Sequence, residues 1–72
     1  MQSEETAEKN NQQIANLIHD LRTPLTGIMG FAELLLEDTS IVGQNREYAQ
    51  IILDESKNLE QILAERIMLL ND

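Results

Sequence analysis

The apolar residues of this chain recur at helical spacing in two long runs, with a single break between them. Ile14, Leu21, Ile28 and Leu35 lie seven residues apart, and Ile18, Leu25 and Ala32 form a second column with the same period. At about 100° per residue such columns share one side of an α-helix, and a repeat of seven is the period at which helices pack side by side. The pattern resumes with Tyr48, Ile51, Ile52, Leu59, Ile62, Leu63, Leu69 and Leu70, interrupted by Glu55, Ser56 and Arg66. Between the runs, Glu37-Asp38-Thr39-Ser40-Ile41-Val42-Gly43 places two acids where a helix C-terminus disfavours them, and adds β-branched residues and a glycine. No segment alternates with the two-residue period of a strand. The expected fold is therefore all-α, an antiparallel helical hairpin with helix 1 over about residues 4–37, a loop over about 38–43 and helix 2 over about 44–70.

Two rods of that length cannot enclose their own apolar stripes. The chain has 72 residues, no cysteine, no tryptophan, one Phe and one Tyr, so neither disulfides nor bulky aromatics supplement a thin core. Two hairpins can solve the problem by dimerising into a four-helix bundle. The dimer core is assigned to Ile14, Leu21, Ile28, Leu35, Leu59, Ile62 and Leu63. The polar residues 1–12 read as a lead-in or linker, and residues 13–72 as the domain.

Thirteen Asp and Glu against five Lys and Arg give a formal net charge of −8, which repels a phosphate backbone or an anionic lipid surface. No nucleic acid and no direct membrane contact are expected. A lone histidine and the lack of cysteine leave no zinc site or thiolate chemistry. No apolar run approaches the ~18 residues of a membrane span, and the start of the chain lacks the basic and apolar parts of a signal peptide. A cytoplasmic location is expected, within a parent protein that can itself be membrane-anchored. A Gly-rich phosphate loop is also missing, and the chain is too short for a nucleotide-binding domain.

The chemistry concentrates in helix 1. With His19 as the origin of a helical wheel, Leu17, Leu21, Ile28 and Leu35 fall within about 20° of the opposite direction, while Thr26 and Gly30 lie within about 20° of His19. The imidazole thus points away from the core, over a surface of small or polar residues. Pro24 lacks the N–H that would bond the Asp20 carbonyl, at a cost of ~3 kcal/mol or more inside a helix. Gly27 and Gly30 each cost about 1 kcal/mol relative to Ala. A purely structural helix has little reason to gather these penalties beside its only histidine, so their grouping points to a functional site.

The run Ile18-His19-Asp20-Leu21-Arg22-Thr23-Pro24-Leu25-Thr26-Gly27-Ile28 closely resembles the H-box of sensor histidine kinases of two-component systems, found in their dimerisation and phosphoacceptor domain. The likeness continues through Gly30-Phe31-Ala32-Glu33-Leu34-Leu35-Leu36 and the second helix, over roughly residues 10 to 72. Ile18 stands where Ser is more frequent, and Asp20 where Glu is commoner. Neither change removes the imidazole or the carboxylate.

The resemblance implies that His19 accepts the γ-phosphoryl group of ATP and passes it to an aspartate of a response regulator receiver domain. ATP and Mg would be held by a separate catalytic domain of the same protein, with no cofactor bound by this chain. Imidazole suits the role, because it offers an unprotonated nitrogen near neutral pH. By the same likeness Asp20 would polarise or deprotonate the ring, although neighbours i and i+1 on a helix do not face each other. Thr23 would orient the water of a phosphatase reaction, unless its hydroxyl bonds the His19 carbonyl. Arg22 would help dock the catalytic domain or stabilise phosphoryl charge, and Pro24 would bend the helix near the acceptor. Two other readings compete: a non-catalytic dimerising hairpin, which needs the heptads but not His19, Thr23 or Pro24, and a stand-alone histidine phosphotransfer protein.

Overall fold

The computed structural model describes residues 2–70, with side chains from residue 10 onward. Two helices, α1 (Gln2–Glu37) and α2 (Gly43–Leu70), run antiparallel as a hairpin. The all-α antiparallel hairpin holds, and residues 38–42 join the two helices. Helix α1 continues through Pro24 without interruption.

The loop is fastened by hydrogen bonds of its own. The Asp38 amide donates to the Leu35 carbonyl at 3.3 Å and the Ile41 amide to the Asp38 carbonyl at 3.1 Å, so the chain leaves α1 in tight turns. Asp38 Oδ1 accepts from the Ser40 amide at 2.9 Å and from the Ser40 hydroxyl at 2.6 Å. These two bonds, the hydroxyl first, hold the Asp38 carboxyl below its ordinary pKa. Gly43, at φ 62°, takes the left-handed backbone that admits the chain into α2, and Arg46 Nη1 reaches back to the Ile41 carbonyl at 3.5 Å.

Packing separates the two heptad columns of α1. Ile18, Leu25 and Ala32 are buried in the seam against Ala49, Leu53, Ser56 and Leu63 of α2. Ile18, Leu25 and Leu63 form a buried cluster there, with Met29, Ile67 and Leu70 packed against it. The one buried polar side chain there, Ser56, donates its hydroxyl to the Ile52 carbonyl at 2.6 Å, which removes the cost of an unpaired hydroxyl. Counted outward from the loop, the seam passes from Ala32 beside Ala49 to Ile18 beside Leu63. Small side chains meet nearest the turn, and branched ones at the level of His19.

The other column stays open. Ile14, Leu21, Ile28 and Leu35 are 43–49% exposed, and Leu59 and Ile62 are 44% and 41% exposed. Leu63, assigned above with that set, is instead 6% exposed inside the hairpin seam. It continues the column Ala49, Ser56, Leu63, so its burial requires no second copy. The molecule measures 60 × 15 × 14 Å with a radius of gyration of 17.1 Å. A globule of this length would have a radius near 11 Å, so most apolar side chains lie too far apart to share one core.

Candidate functional site

A simple rule of handedness places the site. Facing antiparallel helices send the residue that follows each seam position to the same side of the hairpin, because the chain direction and the viewing direction reverse together. The residues three after each seam position turn to the opposite side. On α1 these are Leu21, Ile28 and Leu35, and on α2 Ile52, Leu59 and Arg66. All of them are exposed, and together they make one apolar face shared by both helices and interrupted by Arg66.

His19 directly follows buried Ile18, so it belongs to the other side, as do Thr26 after Leu25 and Glu33 after Ala32. The imidazole is exposed. Its position matches the direction read from the sequence, and burial of Ile18 at 4% exposure fixes the rotation of the helix there. Arg22 and Thr23 share this side, one turn further on, and both are exposed. Asp20 is exposed as well but lies about 100° further round the helix, clear of the groove between α1 and α2.

The threonine hydroxyls divide differently from one of the alternatives above. Thr26 Oγ1 donates to the Arg22 carbonyl at 2.9 Å. Among the described residues no side-chain hydrogen bond ties up Thr23, so its hydroxyl is available one turn from the imidazole. Pro24 removes the donor that would meet the Asp20 carbonyl, which places an acceptor without its helical partner beside the same turn.

Gly27 and Gly30 face space. A Cβ built on either meets nothing within 4 Å, so neither glycine is required by packing inside the hairpin. With Phe31 and Leu34 they line an open depression of about 410 Å³ on the loop side of His19. Phe31 is 71% and Leu34 59% exposed beside it. Replacing both glycines by alanine is expected to stabilise the hairpin by about 1 kcal/mol per site, since only the helix propensity changes. Thermal unfolding followed by circular dichroism checks this. A loss of stability would show that the helix needs glycine at these positions for a reason other than open space.

Among the described residues no group of three or more His, Asp or Glu side chains is arranged to hold a metal ion. No helix of the described residues is long and apolar enough to cross a membrane. The site is thus an imidazole, a carboxylate, a guanidinium and a hydroxyl on one exposed helix, and among the described residues no cavity encloses them. It can offer a reactive nitrogen to another molecule, but it cannot enclose a small substrate.

The model of the His Kinase A (phospho-acceptor) domain matches residues 9–69. The chain belongs to this family. It is 36% identical over 64 residues to the sensor protein VanSC of Enterococcus gallinarum, covering 88% of this chain and 18% of that protein. It is 35% identical over 60 residues to the sensor histidine kinase TrcS of Mycobacterium tuberculosis, covering 83% and 12% respectively. Against the signal transduction histidine-protein kinase BarA of Escherichia coli it is 34% identical over 61 residues, 85% of this chain and 6% of that protein. No solved structure matches. The chain thus spans less than a fifth of the length of these relatives and corresponds to the dimerisation and phosphoacceptor domain of two-component sensor kinases.

The His19 side also takes residues of α2 to which the sequence pattern assigns no role: Gln50 directly follows buried Ala49, Asp54 follows buried Leu53, and Glu60 lies three residues before buried Leu63. Lys57 directly follows buried Ser56, so the handedness rule brings it to the same groove. The signal was the column Ala49, Ser56, Leu63, which reads as an interruption of the apolar stripe until the seam is seen.

Proposed function

We propose that this chain is the acceptor half of a histidine kinase site, with His19 as the phosphorylated residue. A nitrogen of the imidazole forms a bond to the γ-phosphorus of ATP while the bond from that phosphorus to the bridging oxygen breaks. ADP leaves with the electron pair, and the ring gives up the proton on its other nitrogen, with Asp20 or solvent as acceptor. In the second step a carboxylate oxygen of a receiver-domain aspartate takes the phosphorus, the N–P bond breaks, and the imidazole regains a proton. ATP and Mg are supplied by a catalytic domain outside this chain. Thr23, whose hydroxyl bonds no neighbour among the described residues, orients a water for hydrolysis of the phosphorylated receiver in this reading, and Arg22 meets phosphoryl charge or the docked catalytic domain.

The observation that carries this reading is the position of His19. It is the chain's only histidine, exposed on the face opposite the open apolar surface, so a partner can reach it while that surface is occupied. Catalysis of phosphoryl transfer rests mainly on positioning and charge stabilisation, which suits an exposed acceptor on a rigid helix. The open face, carrying Leu21, Ile28, Leu35, Leu59 and Ile62, is the dimer surface, and a second copy in a four-helix bundle is its occupant. A non-catalytic hairpin would need this surface but would not need Pro24 or the two glycines that packing leaves unsupported.

Transfer to a receiver tests the proposal. The chain, loaded with labelled phosphate and freed of ATP, is mixed with a receiver domain of a two-component system. The label is expected to move to the receiver as an acyl phosphate that hydroxylamine releases. Label retained on this chain with every receiver tried would contradict the second step.

A further inference from the structure

A second row of residues meets across the seam on its His19 side, seven apart along each helix. On α1 it carries Ala15, Arg22, Met29 and Leu36, and on α2 Arg46, Leu53, Glu60 and Ile67. Leu53 is buried and Ala15, Met29, Leu36 and Ile67 are half-buried, so the row packs between the helices. Arg46 is held at the loop by the Ile41 carbonyl. Beyond it the row is apolar except at one level. With Ala32 beside Ala49, Met29 comes opposite Leu53, Ala15 opposite Ile67, and Arg22 opposite Glu60. Glu60 is half-buried there, and every other charged side chain among the described residues is exposed. A carboxylate drawn part-way out of water is stabilised by a counter-charge.

Other groups share the groove. Lys57 directly follows Ser56 and is exposed on the rim, three residues before Glu60, which it can also reach along α2. Asp54 directly follows Leu53, and its Oδ1 accepts from Gln50 Nε2 at 2.9 Å. The groove is thus mixed in charge, and Arg22 and Glu60 differ from the rest in facing each other inside the seam. On its own helix Arg22 has no acid three or four residues away, and Asp20 turns away from the groove. Its carbonyl accepts from Thr26 Oγ1 at 2.9 Å, while its guanidinium has no hydrogen-bond partner among the described residues. Packed helix axes lie about 8–10 Å apart, within the combined length of an arginine and a glutamate side chain, so rotation alone closes the pair. His19 lies three residues before Arg22, at the spacing of neighbours on one helix face. The guanidinium can therefore turn to the Glu60 carboxylate across the seam or to an anion on His19.

We infer that Glu60 is a positioning residue that pairs with Arg22 across the seam, and that a phosphoryl group on His19 takes Arg22 from it. The inference rests on the proposed function and gives its Arg22 a partner on α2. A phosphoryl group carries more charge and more acceptor oxygens than a carboxylate, and a guanidinium binds it through two parallel N–H donors. Glu60 touches no reacting bond; it sets where Arg22 waits.

Side-chain NMR of the arginine Nε–H groups tests both halves. Arg46, bonded at the loop, and Arg66, on the open apolar face, serve as internal references. In the unphosphorylated chain, Glu60→Gln is expected to shift the Arg22 Nε–H signal and to speed its hydrogen exchange about two- to fivefold, the scale of an ion pair near the surface. The references should not move. Potassium phosphoramidate then loads His19 without ATP. The imidazole nitrogen attacks phosphorus, the bond from phosphorus to the amide nitrogen breaks, and ammonia leaves with the electron pair and a proton. In the loaded chain the Arg22 signal should move again, and Glu60→Gln should no longer affect it.

An Arg22 signal indifferent to Glu60→Gln before loading overturns the pair, and one equally sensitive to it after loading overturns the transfer. A parallel reaction with ATP and a separate catalytic domain keeps the inference apart from the function beneath it. Phosphate on His19 from ATP, with Arg22 indifferent to Glu60, removes the inference alone. A chain that takes no phosphate from ATP removes the proposed function and the transfer with it, whereas the pair is still decided by the unphosphorylated chain.

Discussion

Replacing His19 with glutamine is expected to reduce phosphate incorporation from ATP by at least ~10³-fold, the scale on which the loss of a nucleophile acts. Glutamine keeps a polar side chain at an exposed position, so helix content and melting temperature should stay within the small range typical of surface substitutions. The comparison is made with a separately produced catalytic domain of a sensor histidine kinase, under conditions in which the unmodified chain is labelled. Because the chain has one histidine, residual label on His19→Gln would have to rest on another residue type. That result would move the acceptor elsewhere.

The second large effect concerns association. Leu21 and Ile28 are 45% and 49% exposed in the single hairpin, on the apolar face opposite His19. In a two-fold dimer each substitution occurs twice, and the copies approach the same interface. The double variant Leu21→Glu, Ile28→Glu therefore asks four carboxylates to leave water, on a protein already at −8 per chain. The dimer should dissociate far more readily, with Kd weakened by at least ~100-fold, equivalent to about 3 kcal/mol. Sedimentation equilibrium measures this, with Thr26→Glu, on the His19 side, as a control that keeps the unmodified Kd. A double variant that dimerises as tightly as the unmodified chain would place the interface on another face.

The hairpin was legible because its evidence is local and repeated. Seven-residue columns and one stretch of turn residues settle two helices and a reversal without reference to distant contacts. The direction of His19 was legible for the same reason, since a helical wheel needs only the angle per residue. The partition of the apolar residues was not. Ile14 and Ile18 are both branched and both head seven-residue columns, yet one is 44% exposed and the other 4%. Which column enters the seam depends on how α2 faces α1, and the periodicity of one helix contains no term for its partner. Leu63 is buried inside the hairpin for that reason, and which α2 residues share the His19 side follows only from the burial of Ala49, Leu53, Ser56 and Leu63.

Asp20 marks a different limit. The H-box suggests that it acts on the imidazole, while helical geometry sets adjacent residues about 100° apart. In the single hairpin it is exposed, away from the groove. Any action on the ring therefore requires a side-chain rotation or the arrival of the catalytic domain, and neither is encoded in the spacing of residues along one helix. The loop shows the opposite case. Gly43 is demanded by its positive φ, and Asp38 by the two bonds it accepts from Ser40, both of which are short-range features of the turn.

The central claim is chemical, that this chain carries phosphate on the imidazole of His19. The direct measurement is to incubate the chain with a separate catalytic domain and γ-labelled ATP, then test the bond formed and map the labelled peptide. A phosphoramidate survives alkali and is lost in acid, and the label is expected to behave in that way on the peptide that contains His19. Label that survives acid, as a phosphoester on Ser or Thr does, or label on a peptide without His19, would contradict the account.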